Sequence, residues 1–204
     1  MKKETKKEIF SWIWTLAVAF VIALFLNHYI IVNANVPTGS MENTLMTHAW
    51  TIGSRTIYKD EMPKRGDIVI FYSDEEQETM VKRVIGLPGE TLEIRDAKVY
   101  INHSDTPLAE PYLKENWVAM NDGLTYEIPE ECYFVMGDNR NNSADGRYWA
   151  MEAVDYGAAD SIEEAVENEY CFVRQDQILG KAIFRYFPKP TLLNQSPYEE
   201  DTDQ

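Results

Sequence analysis

Cysteine and histidine are scarce in this chain. Its 204 residues hold two cysteines and three histidines, scattered along the sequence. That is too few for a zinc cluster, whose ligands come as closely spaced pairs, and no metal or other cofactor is expected. Cys132 and Cys171 both follow the one long apolar run. Outside a cell they could pair; two ordinary buried thiols fit as well, and both readings stay open. Basic charge is also short, with 19 Lys and Arg against 34 Asp and Glu and a net charge of -15. Nucleic-acid binding needs a basic face, so that class is excluded. Residues 148–171 hold seven acids and no base. There is no internal repeat.

The few bases are unevenly placed. Residues 1–10 carry four lysines against two glutamates. Residues 9–26 then run uncharged for eighteen positions, and with residues 27–32 the apolar stretch reaches 24. As a helix that is roughly 36 Å, enough to span a bilayer with some tilt. Trp12 and Trp14 suit one interface, Asn27, His28 and Tyr29 the other. The lysines place residues 1–8 in the cytoplasm and everything after about residue 33 outside. A cleaved signal peptide is the competing reading, with Val32-Asn-Ala34 as a small-residue cleavage site, but the run is long for one. A retained membrane anchor over residues 9–32 is expected.

From there the pattern is short strands, giving a mainly β domain over residues 33–193. Trp50-Thr-Ile-Gly53 and Thr56-Ile-Tyr58 are β-rich, and a turn at Lys64-Arg-Gly-Asp67 precedes Ile68-Val-Ile-Phe-Tyr72. Strands are expected over 79–85, in a hairpin of 91–94 with 98–101, and over 124–128, 132–136 and 182–187. Glycine and proline punctuate the joints. The acidic stretch 148–171 breaks the pattern. Asp160-Ser-Ile-Glu-Glu164 offers a capping box for a helix over 162–170. The stretch reads as a solvated insertion, dispensable for chemistry. Residues 194–204 read as a disordered acidic tail.

Ser40, in Val36-Pro-Thr-Gly-Ser-Met41, follows the anchor by a few residues, so a hydroxyl is presented near a membrane surface. A nucleophilic serine needs a base, and none of the histidines sits in a motif-like setting. A lysine serves if it is neutral at working pH. Its usual pKa of about 10.4 must then be brought down by roughly three pH units, at a cost of about 4 kcal/mol. Lys82 lies within the apolar strand Met80-Val-Lys-Arg-Val-Ile85, facing away from Val81 and Arg83. The alternative is an edge strand with Lys82 in water. A third stretch, Gly137-Asp-Asn-Arg-Asn-Asn-Ser-Ala-Asp-Gly-Arg147, is dense in hydrogen-bonding side chains and reads as a loop that fixes its own shape.

These stretches together resemble the bacterial type I signal peptidases, membrane-anchored Ser–Lys proteases that remove signal peptides. The boxes stand in order: Pro37-Thr-Gly-Ser-Met41, Gly66-Asp-Ile-Val-Ile-Phe71, Lys82-Arg-Val-Ile-Gly-Leu-Pro-Gly-Glu90, residues 137–147, and Gln177-Ile-Leu-Gly-Lys-Ala182. One anchor before the serine box resembles the Gram-positive architecture. The resemblance implies an antiparallel β-protein of coiled sheets. It implies Ser40 as nucleophile and Lys82 as general base, with Ser143 hydrogen-bonded to Lys82. Thr38 Oγ1 and the Ser40 amide would form the oxyanion hole. Arg83 with Asp138, and Asp145 with Arg147, would be supporting ion pairs. Val36, Met41, Leu45, Met80 and Val81 would line a shallow pocket. The implied partners are signal peptides of Ala-x-Ala type and the bilayer. Two departures stand out: Gly146 where the family usually has serine, and the longer acidic insertion. A self-cleaving repressor-type protease shares the Ser–Lys likeness but would carry a DNA-binding domain in place of the anchor. A catalytically dead binding module would not need Ser40, Lys82 and Ser143 intact.

Overall fold

The computed structural model describes residues 3–74, 76–118, 123–193 and 196–198. Helix α1, Lys3–Tyr29, is exposed from Lys7 onward except at half-buried Leu26, and Lys7–Tyr29 is long and apolar enough to cross a membrane. It stops earlier than the composition implied. The β-branched run after Tyr29 leaves the helix for strand β1, Ile31–Val36, because Val32, Ala34 and Val36 bury there on alternate positions.

The body is antiparallel throughout. Strands β2 (Ala49–Ser54), β3 (Ile68–Ser73) and β4 (Glu78–Gly86) are followed by the hairpin β5 (Thr91–Arg95) and β6 (Lys98–Ile101). Then come β7 (Thr125–Glu127) and β8 (Cys132–Met136). Helices α2 (Gly146–Asp155) and α3 (Ile162–Glu167) follow, and β9 (Val173–Arg174), β10 (Ile178–Phe187) and β11 (Thr191–Leu192) close the chain. The large sheet runs β1-β2-β10-β3-β4-β8-β9 with β11 beside β10; β6-β5-β7 form a smaller one. The expected strands and hairpin are in place, with Leu92 opposite Ile101. The exception is Thr56-Ile-Tyr58: Ile57–Lys59 is a 3-10 turn.

Two features of this sheet position the site. Among the described residues strand β1 pairs only with β2. Strand β4 pairs with β3 from Glu78 to Arg83 but meets β8 only from Arg83 onward, so among the described residues 78–82 keep one free edge. The beginning of β4 lies near β1.

The acidic stretch is not a solvated insertion. Ala150, Ala153, Ala159, Ala165, Cys171 and Phe172 are buried in the core that holds Ile85, Phe134 and Met136. Its acids lie on the outer faces, and its small residues face in. Half of the expected capping box forms: Ser161 Oγ accepts from the Glu164 amide at 3.2 Å, but the Glu164 carboxylate accepts from the Asp160 amide at 2.7 Å, one residue before the cap. Cys132 and Cys171 are free, buried thiols. Of the expected tail, Tyr198 packs back on the body, its hydroxyl 2.7 Å from that of Tyr112; residues 194, 195 and 199–204, like residues 1 and 2, lie outside the described residues.

Gly146 now has a physical reason. It opens α2 directly behind Asp145, and a Cβ there would stand 2.5 Å from the Cys171 carbonyl oxygen and 2.9 Å from the Phe134 ring. Only glycine lets the end of the helical stretch close against the loop. Gly146→Ser is therefore expected to destabilise by about 1–3 kcal/mol through overpacking. Denaturant unfolding of the variant measures this, and an unchanged midpoint would contradict it.

Candidate active site

Strand β4 carries Lys82 into the interior. Lys82 is 3% exposed, which rules out the water-facing alternative. Alternation sends Arg83, equally buried, to the opposite face. The turn after β1 brings in Ser40, 4% exposed, and Lys82 Nζ stands 3.0 Å from Ser40 Oγ. Burial pushes the Lys82 ammonium down to about 8; the nearby Asp145 charge works in the opposite direction. A lysine so placed is neutral in a usable fraction at mildly alkaline pH, and in that form it is able to accept a proton from the hydroxyl it touches.

The loop of residues 137–147 clamps the serine turn. The Asn139 amide donates to the Ser40 carbonyl and Asn139 Nδ2 to the Gly39 carbonyl, both at 2.9 Å. Gly137 lies so close to Ser143 Oγ and the Ser40 carbonyl that any side chain would collide with both. Asp145 accepts from the Gly137 amide at 2.9 Å and pairs bidentately with Arg147 at 2.8 Å. Burial opposes the Asp145 charge, yet Arg147 and the Gly137 amide hold the carboxyl below its usual range. On the other face of β4, Arg83 grips Asp138 with two bonds of 2.8 and 2.7 Å and donates to the Gly66 carbonyl at 2.7 Å. Burial works against the Arg83 charge, and the Asp138 contacts outweigh it, so its pKa is raised. Both expected ion pairs thus exist. They tie the serine turn, β4 and the loop into one frame.

Thr38 Oγ1 donates to Ser40 Oγ at 3.2 Å, so its hydroxyl already points at the nucleophile. Among the described residues no protein acceptor is bonded to the Ser40 amide. The expected Ser143–Lys82 bond is absent: Ser143 Oγ is buried beside Gly137 without a hydrogen-bond partner among the described residues. A small groove runs along the site, walled by Val36, Pro37 and Thr38 on one side and by residues 78–82 of β4 on the other. Val36, Met80 and Val81 line it as expected. Met41 and Leu45 do not: both are fully buried in the core that also holds Val36 and Val81. Sequence reasoning missed Asn139, whose two bonds place the serine turn; the signal was its seat inside an amide-rich loop. Among the described residues no group of His, Cys, Asp and Glu is arranged to hold a metal.

Comparison with known proteins gives this constellation its context. The family model described as "Signal peptidase, peptidase S26" matches residues 9–187. A "Signal peptidase I" of Bacillus licheniformis is 39% identical over 70% of this chain and 80% of its own length. "Signal peptidase I T" of Bacillus subtilis is 33% identical over 92% and 89%. A "Probable signal peptidase I-2" of Synechocystis is 29% identical over 93% and 79%. A solved signal peptidase I from Enterococcus faecalis is 33% identical, covering 59% of this chain and 97% of its own, with a TM-score of 0.42. The matched span runs from the apolar helix to the end of β10 and so takes in Ser40, Lys82 and the loop that frames them. The chain belongs to the signal peptidase family, peptidase S26.

Proposed function

We propose that this chain removes signal peptides from preproteins, with Ser40 as nucleophile and Lys82 as general base. The observation that carries the assignment of roles is the 3.0 Å contact of Lys82 Nζ with Ser40 Oγ in a buried setting. Neutral Lys82 takes the Ser40 proton as Oγ attacks the scissile carbonyl. The Ser40 amide and Thr38 Oγ1 then stabilise the oxyanion. Lys82 passes its proton to the leaving amine, which frees the mature chain and leaves an acyl ester on Ser40. A water activated by Lys82 hydrolyses that ester and restores the serine.

The substrate adds a strand between the free edges of β1 and β4. Its residues at -1 and -3 then point to the same face. The narrow groove lined by Val36, Met80 and Val81 is apolar and leaves room for small side chains, which supports the Ala-x-Ala preference. Ser40→Ala in the full, detergent-solubilised chain should abolish cleavage of a synthetic preprotein peptide that wild type cuts at such a site. Equal cleavage by both would remove Ser40 from the chemistry.

The anchor is retained in this reading. Val32 and Ala34 are buried and paired opposite Gly53 and Thr51, so cleavage after Ala34 would strip the sheet of its edge and of part of its core. With the lysines cytoplasmic, the β-body lies outside the cell membrane, and anchor and substrate share one surface, which raises their effective concentration. External protease on intact cells should degrade the body and spare an N-terminal epitope; a protected C-terminal epitope would invert the topology.

A further inference from the structure

A second groove opens on the far side of the serine turn. Asn142, Ser143 and Ala144 form one wall, Tyr148 and Met151 of α2 the other, and Val118 closes one side, with about 540 Å³ of space. It is distinct from the slot between β1 and β4. The two approach each other at the backbone of the serine turn: a side chain on Gly39 would stand 3.2 Å from Asn142 Nδ2, and one on Gly137 would collide with both Ser143 Oγ and the Ser40 carbonyl. Asn142 and Ser143 are thus the partition between the grooves.

The walls are held in place. Asn141 Oδ1 accepts from the Val118 amide at 3.0 Å, and Asn141 Nδ2 donates to the Asn116 carbonyl at 3.1 Å. Arg140 and Arg147 border the groove but are committed to Glu110 and Asp145, so they offer it no unpaired positive charge. Glu152 lies against Tyr148 and Glu115 against Asn141, which sets a weakly negative field. What remains open is apolar and aromatic: Val118 is 78% exposed and Tyr148 38%.

A peptide bond being cut continues in both directions from its carbonyl. If the acyl side fills the slot between β1 and β4, the residues after the bond leave on the other side of Ser40. We propose that this groove receives the first residues of the mature chain, with Tyr148 and Met151 forming an apolar subsite. The proposal rests on the Ser40–Lys82 reading above. It makes α2, part of the acidic stretch, a determinant of which preproteins are cut fast. An extended chain advances about 3.3 Å per residue, so only a few mature residues separate the cleaved bond from any one point of the groove, and scanning them finds the one that meets Tyr148.

The test uses the full, detergent-solubilised chain and two substrate types with the same Ala-x-Ala acyl side. One ends in a small chromogenic amine directly after the cleaved bond; the other continues for six mature residues. With leucine or phenylalanine scanned through the first four mature positions, wild type should cut the peptide apolar at the matching position about tenfold faster, in kcat/KM, than the one with aspartate there, the size expected for burying one apolar side chain. In the double variant Tyr148→Ser, Met151→Ser, the ratio of kcat/KM for the leucine-bearing peptide over the short substrate should fall about tenfold. Indifference of wild type to the mature residues, or an unchanged ratio in the variant, would overturn the subsite. A variant that does not fold leaves the wild-type series to decide. Failure of wild type to cut the short substrate and every extended peptide would instead sink the peptidase reading, and this proposal with it.

Discussion

Lys82→Arg is expected to lower kcat/KM on a preprotein peptide by about 10⁴-fold while the protein still folds. The guanidinium keeps its proton in any protein setting, so it cannot take one from Ser40. The strand should survive, because arginine can still donate to Ser40 Oγ and β4 stays locked between β3 and β8. Lys82→His should leave a trace of activity, since imidazole is a base near neutral pH. An arginine variant that cleaves at the wild-type rate would show that Lys82 is not the base. The sharp discrimination between two cations of the same sign separates proton transfer from simple charge: a lysine needed only as a positive neighbour would be replaced well by arginine.

Thr38→Val is expected to slow kcat by about 10²–10³, the usual size for one lost oxyanion donor. Valine keeps the shape and β-branching of threonine and removes only the hydroxyl. In the structure that hydroxyl spends its proton on Ser40 Oγ, 3.2 Å away. Once Ser40 has attacked, its Oγ is bonded to carbon, and the Thr38 donor is free to meet the oxygen that now carries charge. The Ser40 amide supplies the second donor. KM should change little, because the bond strengthens mainly in the transition state, and Thr38→Ser should stay close to wild type. A folded, membrane-inserted valine variant within a few-fold of wild type would reduce Thr38 to a turn residue.

The sequence carried the chemistry further than the packing. Lys82 was legible because a lysine inside a β-branched run contradicts its surroundings. The 3.0 Å approach to Ser40, 42 positions earlier in the chain, was not legible from the strand pattern alone. The ion pairs of Arg83 and Arg147 followed from the boxes, whereas the clamp from Asn139 to the serine turn is a backbone relation that composition does not encode. Strand β1 was hidden because its alternation begins inside an apolar run long enough for the membrane, and the two patterns overlap at residues 31 and 32. Helix α2 was hidden for a different reason. Besides Trp149 and the paired Arg147, its buried side chains are two alanines, at positions 150 and 153, which add little hydrophobic signal at the start of a stretch with seven acids. Met41 and Leu45 were placed in the pocket by resemblance, and the core claimed them instead. Tyr198 ended up against Tyr112 although its acidic neighbours read as tail.

The most direct test of the central claim is the pH dependence of kcat/KM for the solubilised full chain on one preprotein peptide. The pKa of buried Lys82 lies below its ordinary value, near 8, and the proposed mechanism needs the neutral form. Activity should therefore rise with pH through a single ionisation close to 8, tenfold per pH unit well below it, and level off above. A profile flat from pH 6 to 9, one that falls across that window, or an acid limb centred near 6.5 as for a histidine base, would contradict the account.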